Sequence, residues 1–108
     1  MHDDLDHPRP EEISITDVLA ALASPLRLDV VRRLSEGEEL TCGTALPGTS
    51  KSTASHHWKV LRRAGVLQQR REGRVVHMSL RRTDLDARFP GLIDAVLSAD
   101  RDGPRAAS

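Results

Sequence analysis

Between residues 49 and 82 the chain places Lys51, Lys59, Arg62, Arg63, Arg70, Arg71, Arg74, Arg81 and Arg82 against a single acid, Glu72. Nine cations in so short a span form a surface for a polyanion, with lysine acting as a point charge and arginine as a flat two-pronged donor to phosphate. Among them stand Ser50, Ser52, Thr53, Ser55 and His56, short hydrogen-bonding side chains that can reach phosphates or base edges. The rest of the chain is acidic. Residues 1–48 hold ten acids and four arginines, and residues 83–108 hold five acids and three arginines, so the formal net charge of zero conceals a sorted distribution. A basic stripe on an acidic body orients a molecule on nucleic acid while its other faces are repelled.

A second group of reactive types lies at the start of the chain. His2, Asp3, Asp4, Asp6 and His7 offer imidazole and carboxylate donors that suit nickel or zinc, and His77 is a third candidate ligand. An arm of this composition must first be ordered before it chelates, which weighs against the site. His56 and His57 are sequence neighbours and diverge around a helix; His56 is expected to face nucleic acid and His57 to pack or be solvated. Cys42 is the only cysteine, so no internal disulfide forms. It reads as a small buried residue, with a redox switch as the alternative. No glycine-rich phosphate loop, nucleophile turn or hydrolytic metal spacing is present, and an enzyme is not expected.

The elements that position these groups follow from the apolar spacing. Ile15, Val18, Leu19 and Leu22 form one helical stripe beginning near Ser14 or Thr16. Ser24-Pro25 caps and opens a second helix over 26–35, closed by Gly37. Residues 41–46 read as a third, brief helix stopped by Pro47-Gly48. Thr49 or Ser50 caps a fourth, running to about Ala64, with Ala54, Trp58 and Leu61 facing inward and Lys51, Ser52, Ser55, His56 and Lys59 outward. Two strands, 66–69 and 74–80, flank a turn at Arg71-Glu72-Gly73. A turn or two of helix over 84–89 precedes a last helix carrying Leu92, Ile93, Val96 and Leu97, which Pro90 either kinks or begins.

The expected fold class is mainly α with a small β-hairpin, a winged helix-turn-helix. One domain is expected over 13–98, between a flexible acidic arm at 1–12 and a flexible tail at 99–108. With Trp58 and Phe89 the only aromatic residues, aliphatic side chains on helices must fill the interior, and an all-β sandwich is excluded. No apolar run is long enough for a signal peptide or membrane span, so the expected location is the bacterial cytoplasm.

Three segments together resemble the ArsR/SmtB family of winged-helix regulators. They are Leu22-Ala23-Ser24-Pro25-Leu26-Arg27-Leu28, the run from Thr49-Ser50-Lys51-Ser52-Thr53-Ala54-Ser55-His56-His57-Trp58-Lys59 to Val60-Leu61-Arg62-Arg63-Ala64-Gly65-Val66-Leu67, and Arg70-Arg71-Glu72-Gly73-Arg74. The resemblance spans 22–97. It implies a homodimer built on the first and last helices, with Ile15, Val18, Leu19, Leu22, Leu92, Ile93, Val96 and Leu97 at the subunit interface. It also implies two recognition helices presented to successive major grooves of a palindromic operator. Lys51, Ser52, Ser55 and His56 are expected near base edges, Ser50, Thr53 and Lys59 on flanking phosphates, and Arg70, Arg71 and Arg74 in or beside the minor groove. Ser52 and Thr53 have an equal claim to local helix-start hydrogen bonds.

Many members of that family sense metals, and here the chain departs from the pattern. Thiolate sensors carry two cysteines one residue apart in the third helix, whereas this sequence reads Glu39-Leu40-Thr41-Cys42-Gly43. Zinc and nickel sensors pair aspartate with histidine on the last helix, whereas here stand Asp84, Asp86 and Asp94 without histidine. A metal effector, a redox signal and a regulatory partner protein all stay open. The rival function is a winged-helix interaction module without specific DNA binding, which has no use for an arginine-tipped wing.

Overall fold

A computed structural model describes residues 5–102. Five helices and a three-stranded antiparallel sheet are built in the order α1 (Ile15–Leu22), α2 (Pro25–Ser35), β1 (Leu40–Thr41), α3 (Lys51–Arg63), β2 (Leu67–Glu72), β3 (Val75–Leu80), α4 (Arg82–Arg88) and α5 (Leu92–Asp102), with a 3-10 turn at Pro10–Glu12 ahead of them. Each of the first three helices starts on a serine whose hydroxyl accepts a backbone N–H three residues on: Ser14 from Asp17, Ser24 from Arg27 and Ser50 from Thr53. Pro90 neither kinks nor opens the last helix. It lies with Gly91 in the break between α4 and α5.

The sheet has the order β1-β3-β2. Residues 41–46 were expected as a short helix, and the structure corrects this. Leu40 and Thr41 pair with Met78 and His77 as a third strand, and the Thr41 carbonyl then accepts the N–H groups of Thr44 and Ala45, a single turn that Pro47 and Gly48 prevent from continuing. The hairpin is also longer than the apolar pattern indicated. Glu72 pairs with Val75, so the turn is Gly73-Arg74, with Gly73 at φ 64°.

The core gathers Val18, Ala21 and Leu22 of α1, Val30 and Val31 of α2, Ala54, Trp58 and Leu61 of α3, Leu67 and Met78 of the hairpin, and Leu85, Ile93 and Leu97 of the last two helices. Ile13, 1% exposed, is packed so closely over Gly65 that a Cβ there would lie 2.5 Å from its Cγ1.

Residues 5–12, expected as part of a free arm, lie against the end of α3, β2 and Arg81. Arg62 Nε donates to the Asp6 carbonyl (3.2 Å), the Gln69 N–H to His7 Nε2 (3.0 Å), Arg81 Nη1 to the Pro8 carbonyl (2.8 Å) and Arg88 Nη2 to the Ile13 carbonyl (2.6 Å). The tail's first residues, 99–102, continue α5. Residues 1–4 and 103–108 lie outside the described residues. Among the described residues no helix is long and apolar enough to cross a membrane.

Candidate nucleic-acid interface

Helix α3 divides cleanly. Ala54, Trp58 and Leu61 are buried, while Lys51, Ser52, Thr53, Ser55, His56 and Lys59 are exposed on the other side. The helix start uses its own hydroxyls: Ser50 Oγ accepts from the Thr53 N–H at 3.2 Å, donates to Thr53 Oγ1 at 2.9 Å, and lies 3.5 Å from Ser52 Oγ. Ser50, Ser52 and Thr53 are thereby tied to one another, leaving Lys51, Ser55, His56 and Lys59 as the outward-reaching set.

Strand alternation sorts the wing's arginines. Gln69 of β2 is buried and bonds Arg62 and Cys42, so Leu67, Gln69 and Arg71 share the face turned toward α3. Arg70 and Glu72 take the opposite face, where His77 pairs with Arg70 in register. There one carboxylate oxygen of Glu72 holds both Arg70 Nη1 (3.4 Å) and His77 Nε2 (3.1 Å). Arg74, in the turn, lines a groove with Lys51, Ser55 and Trp58 of α3. The three arginines expected at the minor groove are therefore not equivalent.

Three of the nine cations counted in the basic block are held by partners within the chain. Arg62 bonds the Gln69 side chain at 2.6 Å, Arg81 grips Asp84 at 3.0 Å with its side chain 8% exposed, and Arg82 pairs with both Asp86 and Asp94. The cationic surface is thus carried by Lys51, Lys59, Arg63, Arg70, Arg71 and Arg74, all exposed.

Behind this surface runs a polar chain that sequence reasoning missed. Trp58 Nε1 donates to the Cys42 carbonyl (3.2 Å), Gln69 Nε2 donates to Cys42 Sγ (2.9 Å), and Gln69 Oε1 accepts from Arg62. Burial pushes the Cys42 thiol above its ordinary pKa, with the Gln69 hydrogen bond and the charges of Arg62 and Arg71 pulling the other way. The net effect favours the thiol over the reactive thiolate. On the far side of α3, Arg27 spans three helices. Its Nε donates to the Ala21 carbonyl (2.7 Å) and its Nη1 to His57 Nδ1 (3.1 Å). Burial, then the Arg27 and His56 charges, push His57 below its ordinary pKa.

The candidate metal ligands are not brought together. His7 Nε2 is occupied by the Gln69 N–H, His77 is paired with Glu72, and His2 lies outside the described residues. Among the described residues no group of three or more His, Cys, Asp or Glu side chains is placed to hold a metal ion. The eight aliphatic residues expected at a subunit interface also divide. Val18, Leu22, Ile93 and Leu97 are buried in the core of the single chain, a correction that follows from the short helices having to close their own interior. Ile15 and Leu19 are 39% and 45% exposed, and Leu92 and Val96 are half-buried.

Comparison with known proteins agrees with this geometry. Residues 22–70 match the family model described as a helix-turn-helix domain. The chain is 34% identical over 82 residues to YceK of Bacillus subtilis, an uncharacterized HTH-type transcriptional regulator, spanning 73% of this chain and 82% of that one. It is 34% identical over 77 residues to the cadmium resistance transcriptional regulatory protein CadC homolog of Staphylococcus aureus, covering 69% of this chain and 64% of that one. A crystal structure of an ArsR family transcriptional regulator has the same fold, with TM-score 0.62 and 22% identity over 82% of this chain and 92% of that one, and that of a possible transcriptional regulator for arsenical resistance is 30% identical, with TM-score 0.58 over 85% of this chain and 96% of that one. This chain belongs to the ArsR family of winged-helix transcriptional regulators. As an ArsR-family protein it is a DNA-binding regulator and not an enzyme, with α3 as its recognition helix and the β2–β3 hairpin as its wing.

Proposed function

We propose that this regulator binds a palindromic operator as a homodimer, reading bases with Ser55, His56 and Lys51 of each α3 and gripping phosphates with Lys59, Arg71 and Arg74. The observation that carries the reading is the two-faced α3. Its apolar side is committed to the core through Trp58, while Lys51, Ser55, His56 and Lys59 stand exposed beside an arginine-bearing wing. The exposed Ile15 and Leu19, with the half-buried Leu92 and Val96, supply the apolar surface for an isologous contact. A twofold axis sets the two half-sites about one helical turn apart, ~34 Å.

Selection of bound duplexes from a random pool tests this, with sedimentation of the free protein alongside. An inverted repeat and a dimer are expected, and Leu19→Glu should give a monomer that loses the repeat. A pool without any enriched sequence, from protein that binds heparin no better than an acidic control, would leave an interaction module instead. Repeating the selection with nickel and with zinc tests those ions as effectors.

A further inference from the structure

A groove of about 610 Å³ opens between the N-terminal half of α3 and the wing. Its walls come from the turn after β1, from α3, and from the start of β3. Its lining includes two cations, Lys51 and Arg74, and no carboxylate, in a chain with as many acids as bases. Leu46, Val75 and Val76 give it apolar surface, Val75 being 44% exposed, whereas Trp58 and Ala54 are buried and show it only an edge. The hydroxyls of Thr41, Thr44, Thr49 and Ser55 share the lining, the first two bonded to each other at 2.8 Å.

The geometry points to this groove as a binding site for a small organic anion with an apolar body, its acid group held between Lys51 and Arg74 and its body against Leu46, Val75 and Val76, within reach of the edge of Trp58. The volume falls within the range of small-molecule sites, roughly 300–1,000 Å³, which combine apolar walls with a few convergent polar groups. A DNA backbone passing between α3 and the wing needs the cations but has no use for the apolar surface of Leu46, Val75 and Val76. Burying that surface favours a ligand carrying hydrocarbon. Such a ligand occupies Lys51 and Arg74, two of the side chains assigned to DNA above, so bound ligand and bound DNA exclude each other.

Trp58 is the only tryptophan, so the full-length protein reports occupancy by its own fluorescence without DNA present. The probe is 3-phenylpropionate, compared with the neutral 3-phenylpropan-1-ol and with inorganic phosphate, with calorimetry as the second readout. The expected result is saturable binding of the carboxylate, at least about tenfold weaker binding of the alcohol and of phosphate, and a loss of about tenfold in each of Lys51→Ala and Arg74→Ala. Added duplex DNA should displace the probe. Absence of saturable binding in both readouts overturns the inference. Equal affinity for phosphate, unchanged affinity in both variants, or a ternary complex with DNA would do so as well. The assay separates this inference from the DNA reading: ligand binding without operator binding would leave the groove standing, and operator binding without ligand binding would remove the groove alone.

Discussion

The imidazole of His7 accepts a hydrogen bond from the backbone N–H of Gln69 at 3.0 Å, joining residues 62 positions apart. β2 is an edge of the sheet, so this N–H has no strand beyond it, and His7 takes the place of one. The same Gln69 bonds Cys42 and Arg62 through its side chain, so the arm, the wing and the end of α3 meet at one residue.

Removing that acceptor should loosen the wing without unfolding the domain. His7→Ala is expected to cost about 1 kcal/mol, the usual net worth of one hydrogen bond. Amide exchange at Gln69 should accelerate more than at Met78, its neighbour in the interior strand. Equal acceleration at both positions would mean that the arm stabilises the fold in general and not the edge of β2.

Much of this architecture was legible because the signals were local. Ser14, Ser24 and Ser50 announce three helix starts, and Ala54, Trp58 and Leu61 repeat at helical spacing through α3. The arm was not legible, since nothing in His7 or Pro8 names a partner more than sixty residues away; only the fold brings Gln69 and Arg81 to them. β1 was missed for a related reason. Two residues carry no periodicity, and Leu40 and Thr41 become a strand only because Met78 and His77 lie alongside. The basic block was read correctly as charge and too generously as surface. A sequence count cannot tell Arg81, sunk against Asp84 and Pro8, from Arg74 at the turn.

Gly65 closes α3 at φ 84° directly beneath Ile13. An alanine there meets two obstacles: a left-handed backbone costing about 1–2 kcal/mol, and overpacking against a fully buried side chain costing about 1–3 kcal/mol. Gly65→Ala should therefore destabilise by about 2–5 kcal/mol in chemical denaturation. Combined with Ile13→Ala, the overpacking part should vanish while the backbone part persists, so the two substitutions should be clearly less than additive. Strict additivity would show that Ile13 can move aside.

His57 gives the protein an acid limit. Burial, Arg27 and His56 hold its pKa below the ordinary 6.5, so the folded chain resists a proton that the unfolded chain accepts. The stability it contributes is present above about pH 6.5 and is lost as pH falls from there toward the lower folded value. Protonation would also set an imidazolium against the Arg27 guanidinium that now donates to Nδ1. Thermal midpoints should fall between pH 7 and pH 5, and His57→Gln should flatten that fall. An identical pH profile in the variant would place the acid sensitivity elsewhere.

The salt dependence of DNA binding should separate the wing's arginines. Each phosphate contact contributes about −0.9 to the slope of log affinity against log salt. Arg71 shares the α3 side of the hairpin and Arg74 lines the groove beside Lys51, so alanine at either should flatten the slope by nearly one contact. Arg70 lies on the other face with Glu72 between it and His77, its charge already answered within the wing. Arg70→Ala should change the slope by well under half as much, and Glu72→Gln, which leaves Arg70 without that carboxylate, should steepen it. Equal slopes for all three arginine variants would mean that the hairpin lies edge-on to the duplex and contacts it with both faces.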